Sequence, residues 1–586
     1  MRTEVISKGG VSVRAISGTR SVLFAFDVEK KLRDKLLGFA VQRRSAAAGA
    51  KPPFWFKASK VFKEVVPEPG QDARFSTLFH PIQSLVWGDY TTEPGTRYHY
   101  VVRPVLGIPS KLEYGADVEF TVATEPEETA EDGVWFNRGA IASQVFAREF
   151  KNRAPRDVDD ETDETTVWLS RGLLEACLRF INDTKEGEQL LVAAYEFTYA
   201  PVLRTLKAAL DRGVDLRIVY DASVEQDKNT GEMVLTDSGA ANQQAIEDYA
   251  FPEGRLYPRQ HSGDIPHNKF FVRIDADDAP VAVWTGSTNF TASGFLGQSN
   301  VGHVVKERDT AGVYRDYWLL LQKDLPRDEM RPEVEKLSFF ENQVGQVEGE
   351  TPIPVGISAV FSPRKASKML KWYADRIEAA SNGVMWTGAF SVAQALAEAF
   401  EGKHPHPRFL LLEKPPSATT VNALKGSKNL QIAYGNVLGQ RYVPNAKGEL
   451  TMRREIPEFE LEKWFLEEEH YRRTGHVYFI HTKFLLVDPL GEDPLVFSGS
   501  ANFSANSLLS NDENMLLIRG NKRLADIYMT EFDRLLRHFY FRDVAAELHG
   551  TGNAERGKFL YDKPSDWLEP NYRGFKNARR EMFFPE

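Results

Sequence analysis

The sequence predicts an α/β catalytic unit built from two pseudo-symmetric halves, preceded by an all-β sandwich. Three observations predict it. Up to about residue 124 the chain reads as short, often alternating apolar runs separated by Gly, Pro, Asn and Asp. From about Glu164 strand-like runs alternate with helix-like ones, the pattern of an α/β unit. The order strand, helix, strand then recurs later in the chain, which marks an internal repeat.

Composition bounds the reading. A chain of 586 residues exceeds one ordinary domain. Its 42% hydrophobic and 27% charged residues are globular values. A formal net charge of −10 argues against coating nucleic acid through overall charge, although a local basic cleft survives that argument. Cys177 is the single cysteine, so no intramolecular disulfide can form, and a small core residue is its expected role. Met1–Gly10 has no apolar signal core, and no apolar run approaches the ~20 residues that span a bilayer. The expected location is the cytoplasm, with any contact to a membrane peripheral.

In the sandwich, expected over residues 1–124, strands are predicted at Val11–Ala15, Val22–Asp27, Gly38–Arg43, Phe54–Ala58, Ser84–Trp87, Tyr98–Arg103 and Val118–Val122. Lys30–Leu37, with alternating charges, reads as a helical excursion. The stretch Thr92-Glu-Pro-Gly-Thr-Arg-Tyr98 resembles the turn into a late strand of a fibronectin type III domain. The resemblance implies a tyrosine-corner hydrogen bond from Tyr98 back to that turn. A protein partner is one expected use of such a domain.

Residues 125–164 read as a linker: Glu125–Asp132 and Arg153–Glu164 are acidic and apolar-poor, with Phe136-Asn-Arg-Gly139 as an ordered arm between them. The first half is expected over 165–350. It has a helix at Leu173–Ile181, a strand at Leu190–Phe197, a helix at Pro201–Arg212 and a strand at Leu216–Tyr220. The second, over 351–545, repeats this with Gly383–Phe390, Val392–Phe400 and Arg408–Leu412, and 546–586 form a C-terminal extension.

The repeat is sharpest where it carries chemistry. One half reads His267-Asn-Lys269, Asp275, then Gly286-Ser287-Thr-Asn289-Phe-Thr; the other reads His481-Thr-Lys483, Asp488, then Gly499-Ser500-Ala-Asn502-Phe-Ser. Eleven residues separate Asp275 from Gly286 and Asp488 from Gly499, but eight separate His267 from Asp275 against seven in the second half. A β-bulge near Phe271–Ile274 would absorb the extra residue. Residues two apart on a strand share a face, so each His and Lys should leave together. Two such sets make a pocket of imidazoles, ammonium groups and carboxamides suited to stabilising negative charge.

His-X-Lys, four residues, Asp, then Gly-Ser-X-Asn resembles the HKD signature of the phospholipase D superfamily, over roughly residues 165–545. The second half matches in full. The first departs, with Ile274 in the Asp position and Asp275 after it. The resemblance implies that one histidine attacks phosphorus to give a phosphohistidine, while the other protonates the leaving oxygen and then activates water. It implies no cofactor. Lys269, Lys483, Asn289 and Asn502 are the expected phosphate ligands, with Ser287 and Ser500 as further donors or as packing beside Gly286 and Gly499. Asp275 and Asp488 are expected to orient strands and turns.

Glu513 aligns with Asn300 of the first half, and Asn511 with Gln298. If Glu513 contacts His481, it keeps that imidazole protonated as the acid, while an amide beside His267 leaves it neutral as the nucleophile. A catalytically dead phosphate-binding module would show one eroded motif, and both are intact. His261, His267 and His303 lack metal-ligand spacing. His476 reads as scaffold or surface, and Lys365, Lys368 and Lys371 as a solvated helix face.

The motif does not name the substrate. The basic run Arg573, Lys576, Arg579, Arg580 favours a nuclease acting on DNA or RNA; the acidic insertion Glu455–Glu469 opposes it. A 12% aromatic content and Tyr442, Trp464, Phe465 and Tyr471 near the site favour a phospholipid at an interface. Cardiolipin synthesis fits poorly, because the bacterial enzymes of that kind usually have N-terminal membrane segments. Phospholipase D-type hydrolysis is the preferred reading.

Overall fold

In the computed structural model, described for residues 1–45, 52–70, 73–139, 146, 149–151, 153–261, 264–337, 354–389, 392–435, 440–444, 450–454, 479–550 and 557–584, the N-terminal part is all β. One antiparallel sheet runs Ile6–Lys8, Val11–Ser17, Val22–Val28, Val86–Asp89. The other runs Lys111–Tyr114, Arg97–Ile108, Leu36–Ser45, Phe54–Trp55, with Val118–Ala123 also on Arg97–Ile108. Alternation puts Val11, Val13, Phe24, Phe26, Val118 and Phe120 inward, where Phe26 stacks on Phe39 at 4.4 Å. Of the helical excursion expected over Lys30–Leu37 only Lys30–Arg33 is helical, because Leu36 and Leu37 already open the strand Leu36–Ser45. The Glu93 N–H donates to the Tyr98 hydroxyl at 2.8 Å, the contact expected of that tyrosine.

The sandwich core is completed from far away. Trp567 and Leu568, in the helix Pro564–Asn571, are buried in it, and the Trp567 indole donates to the Leu36 carbonyl. Val61 pairs with Phe559.

Two seven-stranded sheets follow, and they match position for position. The first runs Asp132–Phe136, Val301–Val305, Pro280–Gly286, Lys269–Ile274, Gln189–Ala194, Asp215–Asp221, Leu256–Arg259. The second runs Gly356–Ser362, Glu513–Arg519, Leu495–Gly499, Phe484–Val487, Val384–Gly388, Lys403–Leu412, Lys428–Tyr434. The bulge falls where the spacing placed it, between Arg273 and Ile274.

One expectation is corrected here. The acidic stretch after the sandwich is not only a solvated connection, because Asp132–Phe136 is a wholly buried edge strand of the first sheet. Its apolar Val134, Trp135 and Phe136 outweigh its charge. The arm that follows is ordered: the Asn137 side-chain amide donates to the carbonyls of Phe295 and Gln298 at 2.9 and 2.7 Å.

The halves share one core. Phe361 of the second stacks on Tyr317 of the first at 4.3 Å, and Phe136 packs edge-on against Phe484 and Tyr528. Buried charge stitches the same seam: Arg171 donates twice to Glu531, which also accepts from Arg534 and from Ser21 of the sandwich. Cys177 is buried in this core, and burial pushes its thiol well up. No described helix is long and apolar enough to cross a membrane.

Candidate active site

Each His-X-Lys triplet lies at the mouth of a central strand. Lys269 opens its strand, whereas in the second half the strand begins only at Phe484, so His481 and Lys483 precede it rather than sit within it. The sheets bring these mouths together, and their four catalytic-type side chains are at most 5% exposed. Backbone bonds hold the approach reciprocally: Asp512 N–H donates to the Ile265 carbonyl, and Ser299 N–H to the Phe479 carbonyl.

The histidine partners cross between halves. His267 Nδ1 lies 2.8 Å from Glu513 Oε2, and His481 Nδ1 lies 2.9 Å from Asn300 Oδ1. The expected pairing of Glu513 with His481 is therefore wrong. Glu513 opens the strand next to its own central hairpin, but at the seam that position faces the other half's histidine. Asn511 donates to the other Glu513 oxygen at 3.0 Å.

Burial first, then the lysines, sets the electrostatics. Desolvation takes His267 down to about 4, against the raising effect of Glu513. His481 is driven well below the usual imidazole range by desolvation, Lys483, Lys269 and His267. Glu513 feels burial pushing its carboxyl up, but His267 and Lys269 outweigh this and it stays ionised. The consistent state is a carboxylate accepting from a neutral His267 Nδ1–H. Desolvation lowers Lys269 to about 7, opposed by Glu513, Glu196 and Asp221, and lowers Lys483 well below an ordinary lysine. Each ammonium donates to the carbonyl of its own histidine, at 2.6 and 2.7 Å.

The other expected residues divide into two groups. Asn289 donates one amide hydrogen to Glu196 at 2.6 Å, and the Oδ1 atoms of Asn289 and Asn502 are buried without a protein partner. Those oxygens are acceptors, so a phosphate oxygen would be met by the amide hydrogens that these bonds leave unused. The serines do not. Ser287 donates to Asn300 Oδ1 at 2.7 Å, steadying the His481 partner, and Ser500 accepts from Asn514 N–H at 3.0 Å. Their hydroxyls fasten strands rather than await phosphate.

Gly286 and Gly499 permit that approach: a Cβ would come within 2.1 Å of the Val301 carbonyl oxygen and 2.2 Å of the Asn514 carbonyl oxygen. Asp488 accepts from the backbone N–H groups of Ser381, Asn382 and Gly383, and Asp275 from those of Asp277 and Ala279. Both are turn-builders, as expected.

His261 is exposed against Asp324, and His303 is buried beside Tyr528, so neither joins His267. Among the described residues no cluster of His, Cys, Asp or Glu could hold a metal ion. The helix begins only at Lys368, so Lys365 lies in the bend before it and pairs with Glu335, while Lys371 pairs with Asp375 on the helix surface. The side chain of Tyr442, together with His476, Trp464, Phe465, Tyr471 and the acidic run Glu455–Glu469, lies outside the described residues.

Sequence reasoning missed the polar seam. Asn514 donates to Asn268 Oδ1 at 2.9 Å and accepts from Tyr314, tying the X position of one motif to the other half. It also missed Tyr195, whose ring lies 5.1 Å from both the Lys269 ammonium and the His267 ring centroid. The repeat held one signal for the seam, since Asn300 and Glu513 are polar at equivalent buried positions.

A family profile described as "Cardiolipin synthase, PLD-like domain" matches residues 177–319 and 422–536. Among solved structures, the chain is similar to phosphatidylserine synthase of Haemophilus influenzae Rd KW20 at 12% identity, covering 67% of this chain and 94% of that one, with a TM-score of 0.37. Its likeness to the phospholipase D family member Nuc of Salmonella typhimurium is 26% identity over 26% of this chain and 86% of that one, TM-score 0.20. Against polyphosphate kinase of Porphyromonas gingivalis it is 10% identical, with a TM-score of 0.35, covering 66% of this chain but only 47% of the kinase. TM-scores this low leave the substrate open. No curated protein sequence matches the chain.

Proposed function

We propose that this chain, matched at residues 177–319 and 422–536 by a profile of a PLD-like domain, is a metal-independent phosphodiesterase working through a phosphohistidine on His267. The observation that carries the reading is the crossed pairing of both histidines, His267 with Glu513 and His481 with Asn300, beside two buried lysines.

With Nδ1 engaged, Nε2 is the ring nitrogen left for chemistry on each histidine. The assignment of His267 as nucleophile stands on new ground. A carboxylate on Nδ1 fixes the tautomer and stabilises the positive charge that appears when Nε2 bonds to phosphorus. As the P–O bond to the leaving group breaks, His481 Nε2–H gives that oxygen its proton. His481 then takes a proton from water, whose oxygen attacks phosphorus; the P–N bond breaks and His267 is restored. Lys269, Lys483, Asn289 and Asn502 stabilise the charge on the non-bridging oxygens. His481 must be protonated to act first as an acid, and a bound phosphodiester anion raises its pKa toward that state.

Phospholipid headgroups are the preferred substrate, met peripherally at a membrane surface by a cytoplasmic protein. Part of the basic run that favoured a nuclease is engaged within the fold, Arg579 with Asp533 and Arg580 with Asp27, while Arg573 pairs with Glu569 on the surface. The test is turnover in EDTA on phosphatidylcholine, phosphatidylglycerol and cardiolipin vesicles against single- and double-stranded DNA and RNA. His267→Ala and His481→Ala serve as blanks. We expect headgroup release that each substitution lowers by about 10⁴-fold or more. Cleavage of nucleic acid alone would make the protein a nuclease, and binding without turnover a phosphate-binding module.

A further inference from the structure

The two halves differ in how the chain leading to each histidine is anchored. In the second half Glu413 follows its strand and accepts the N–H groups of Phe479 and Ile480, at 3.1 and 2.7 Å, just before His481. The equivalent carboxylate in the first half, Asp221, is turned instead to Ser223 and Ser238. The chain before His267 thus lacks that anchor.

A different one stands beside it. Asp221 pairs across its sheet with Arg259, and Glu413 stands opposite Gly435, one residue past the Leu412–Tyr434 pair. A Cβ at Gly435 would press on the Ile480 side chain at 2.6 Å and on a Glu413 carboxylate oxygen at 2.7 Å. Arg259, in contrast, is wholly buried and crosses the seam. Its Nε and Nη2 reach the two oxygens of Asp512 at 2.8 and 3.3 Å, while Nη1 donates to Asp324 and to the Leu325 carbonyl at 3.0 and 2.6 Å. Asp512 immediately precedes Glu513, and its own N–H holds Ile265, two residues before His267. One side-on guanidinium–carboxylate pair therefore fixes both partners of the His267–Glu513 contact.

We propose that Arg259, through Asp512, is a positioning residue that holds Glu513 against His267. A planar fork sets distance and direction together, which an ammonium cannot do. The inference rests on the proposed role of His267, but it has a readout of its own.

The experiment compares Arg259→Lys and Asp512→Asn with the full-length protein, following kcat, KM and the His267 Nδ1–H signal in protein labelled with ¹⁵N-histidine. We expect kcat to fall about 10- to 100-fold with KM nearly unchanged, because small misplacements at a reacting group cost that much. The Nδ1–H signal should shift or broaden, and adding Arg259→Lys to Glu513→Gln should cost nothing further. If Arg259→Lys does not fold, Asp512→Asn, equal in size, decides alone. A normal signal with wild-type kcat, or losses that multiply with Glu513→Gln, would overturn the proposal. Should the wild-type protein turn over no substrate, the functional reading fails while the nuclear-resonance arm still decides the positioning.

Discussion

The two catalytic halves repeat one another strand for strand, yet their histidines meet different partners. Lys269 and Lys483 make the same bond to their own histidine carbonyls, and Gly286 and Gly499 allow the same close strand approach. Against that background His267 faces a carboxylate and His481 a carboxamide, each contributed by the opposite half. Duplication supplies matching pairs of histidines and buried lysines; a single difference at equivalent positions, Glu513 against Asn300, breaks that symmetry. Neither half supplies both a histidine and that histidine's partner.

The strongest way to break the comparison is to erase that difference. Glu513→Gln makes both partners amides, and should lower kcat by about 10²- to 10⁴-fold with modest change in KM, measured by steady-state kinetics. The reverse change, Asn300→Asp, should keep His481 protonated to higher pH and move the alkaline limb of kcat upward. Equal, small effects of both substitutions would mean that the halves are chemically interchangeable.

The lysines sharpen it further. Lys269, buried and lowered to about 7, is charged below that pH and loses its proton above it, and Lys483 is depressed in the same direction. The profile of kcat/KM should fall first where His481 gives up the proton it needs as an acid, below the usual imidazole range, and fall further above roughly 7 as Lys269 loses its proton. Its acid limb should lie near 4, where His267 becomes protonated. In kcat the alkaline limb should shift upward, because a bound phosphodiester favours the ammonium. Lys269→Arg, which stays charged, should remove the contribution of Lys269 to that limb.

The smallest effect concerns the seam itself. Burial raises the Glu531 carboxyl, but Arg171 and Arg534 outweigh it and hold the group down at about 2. The stability it contributes is present above its unfolded value and lost as pH falls through the folded one, so between roughly 4.5 and 2. At full strength it is about 3 kcal/mol. Melting temperatures across that window should drop by a few degrees more than in Glu531→Gln, whose seam is already weakened at neutral pH.

How much of this was legible depends on distance along the chain. The strands and the bulge were, because apolar alternation and an eight-against-seven spacing are local signals. Asp132–Phe136 was not, since its acidic neighbours hid three consecutive apolar residues that join a strand far downstream. The His267–Glu513 contact was out of reach: 246 residues separate the partners, and alignment of the halves says which positions correspond but not whether they meet within or between halves. For the serines, both expected uses were legible but not the choice between them. Beside a glycine on a strand, a hydroxyl aimed at ligand and one aimed at the next strand look alike in sequence.

The sandwich carries a consequence for how the protein is made. Its strands leave the ribosome long before Trp567, yet that indole closes their core and bonds the Leu36 carbonyl. During synthesis the earliest-made part must therefore wait, with an open apolar end, while both catalytic halves are translated. It becomes complete only when the last helices arrive, so a truncated product that has both histidines still lacks the finished interior of its first domain.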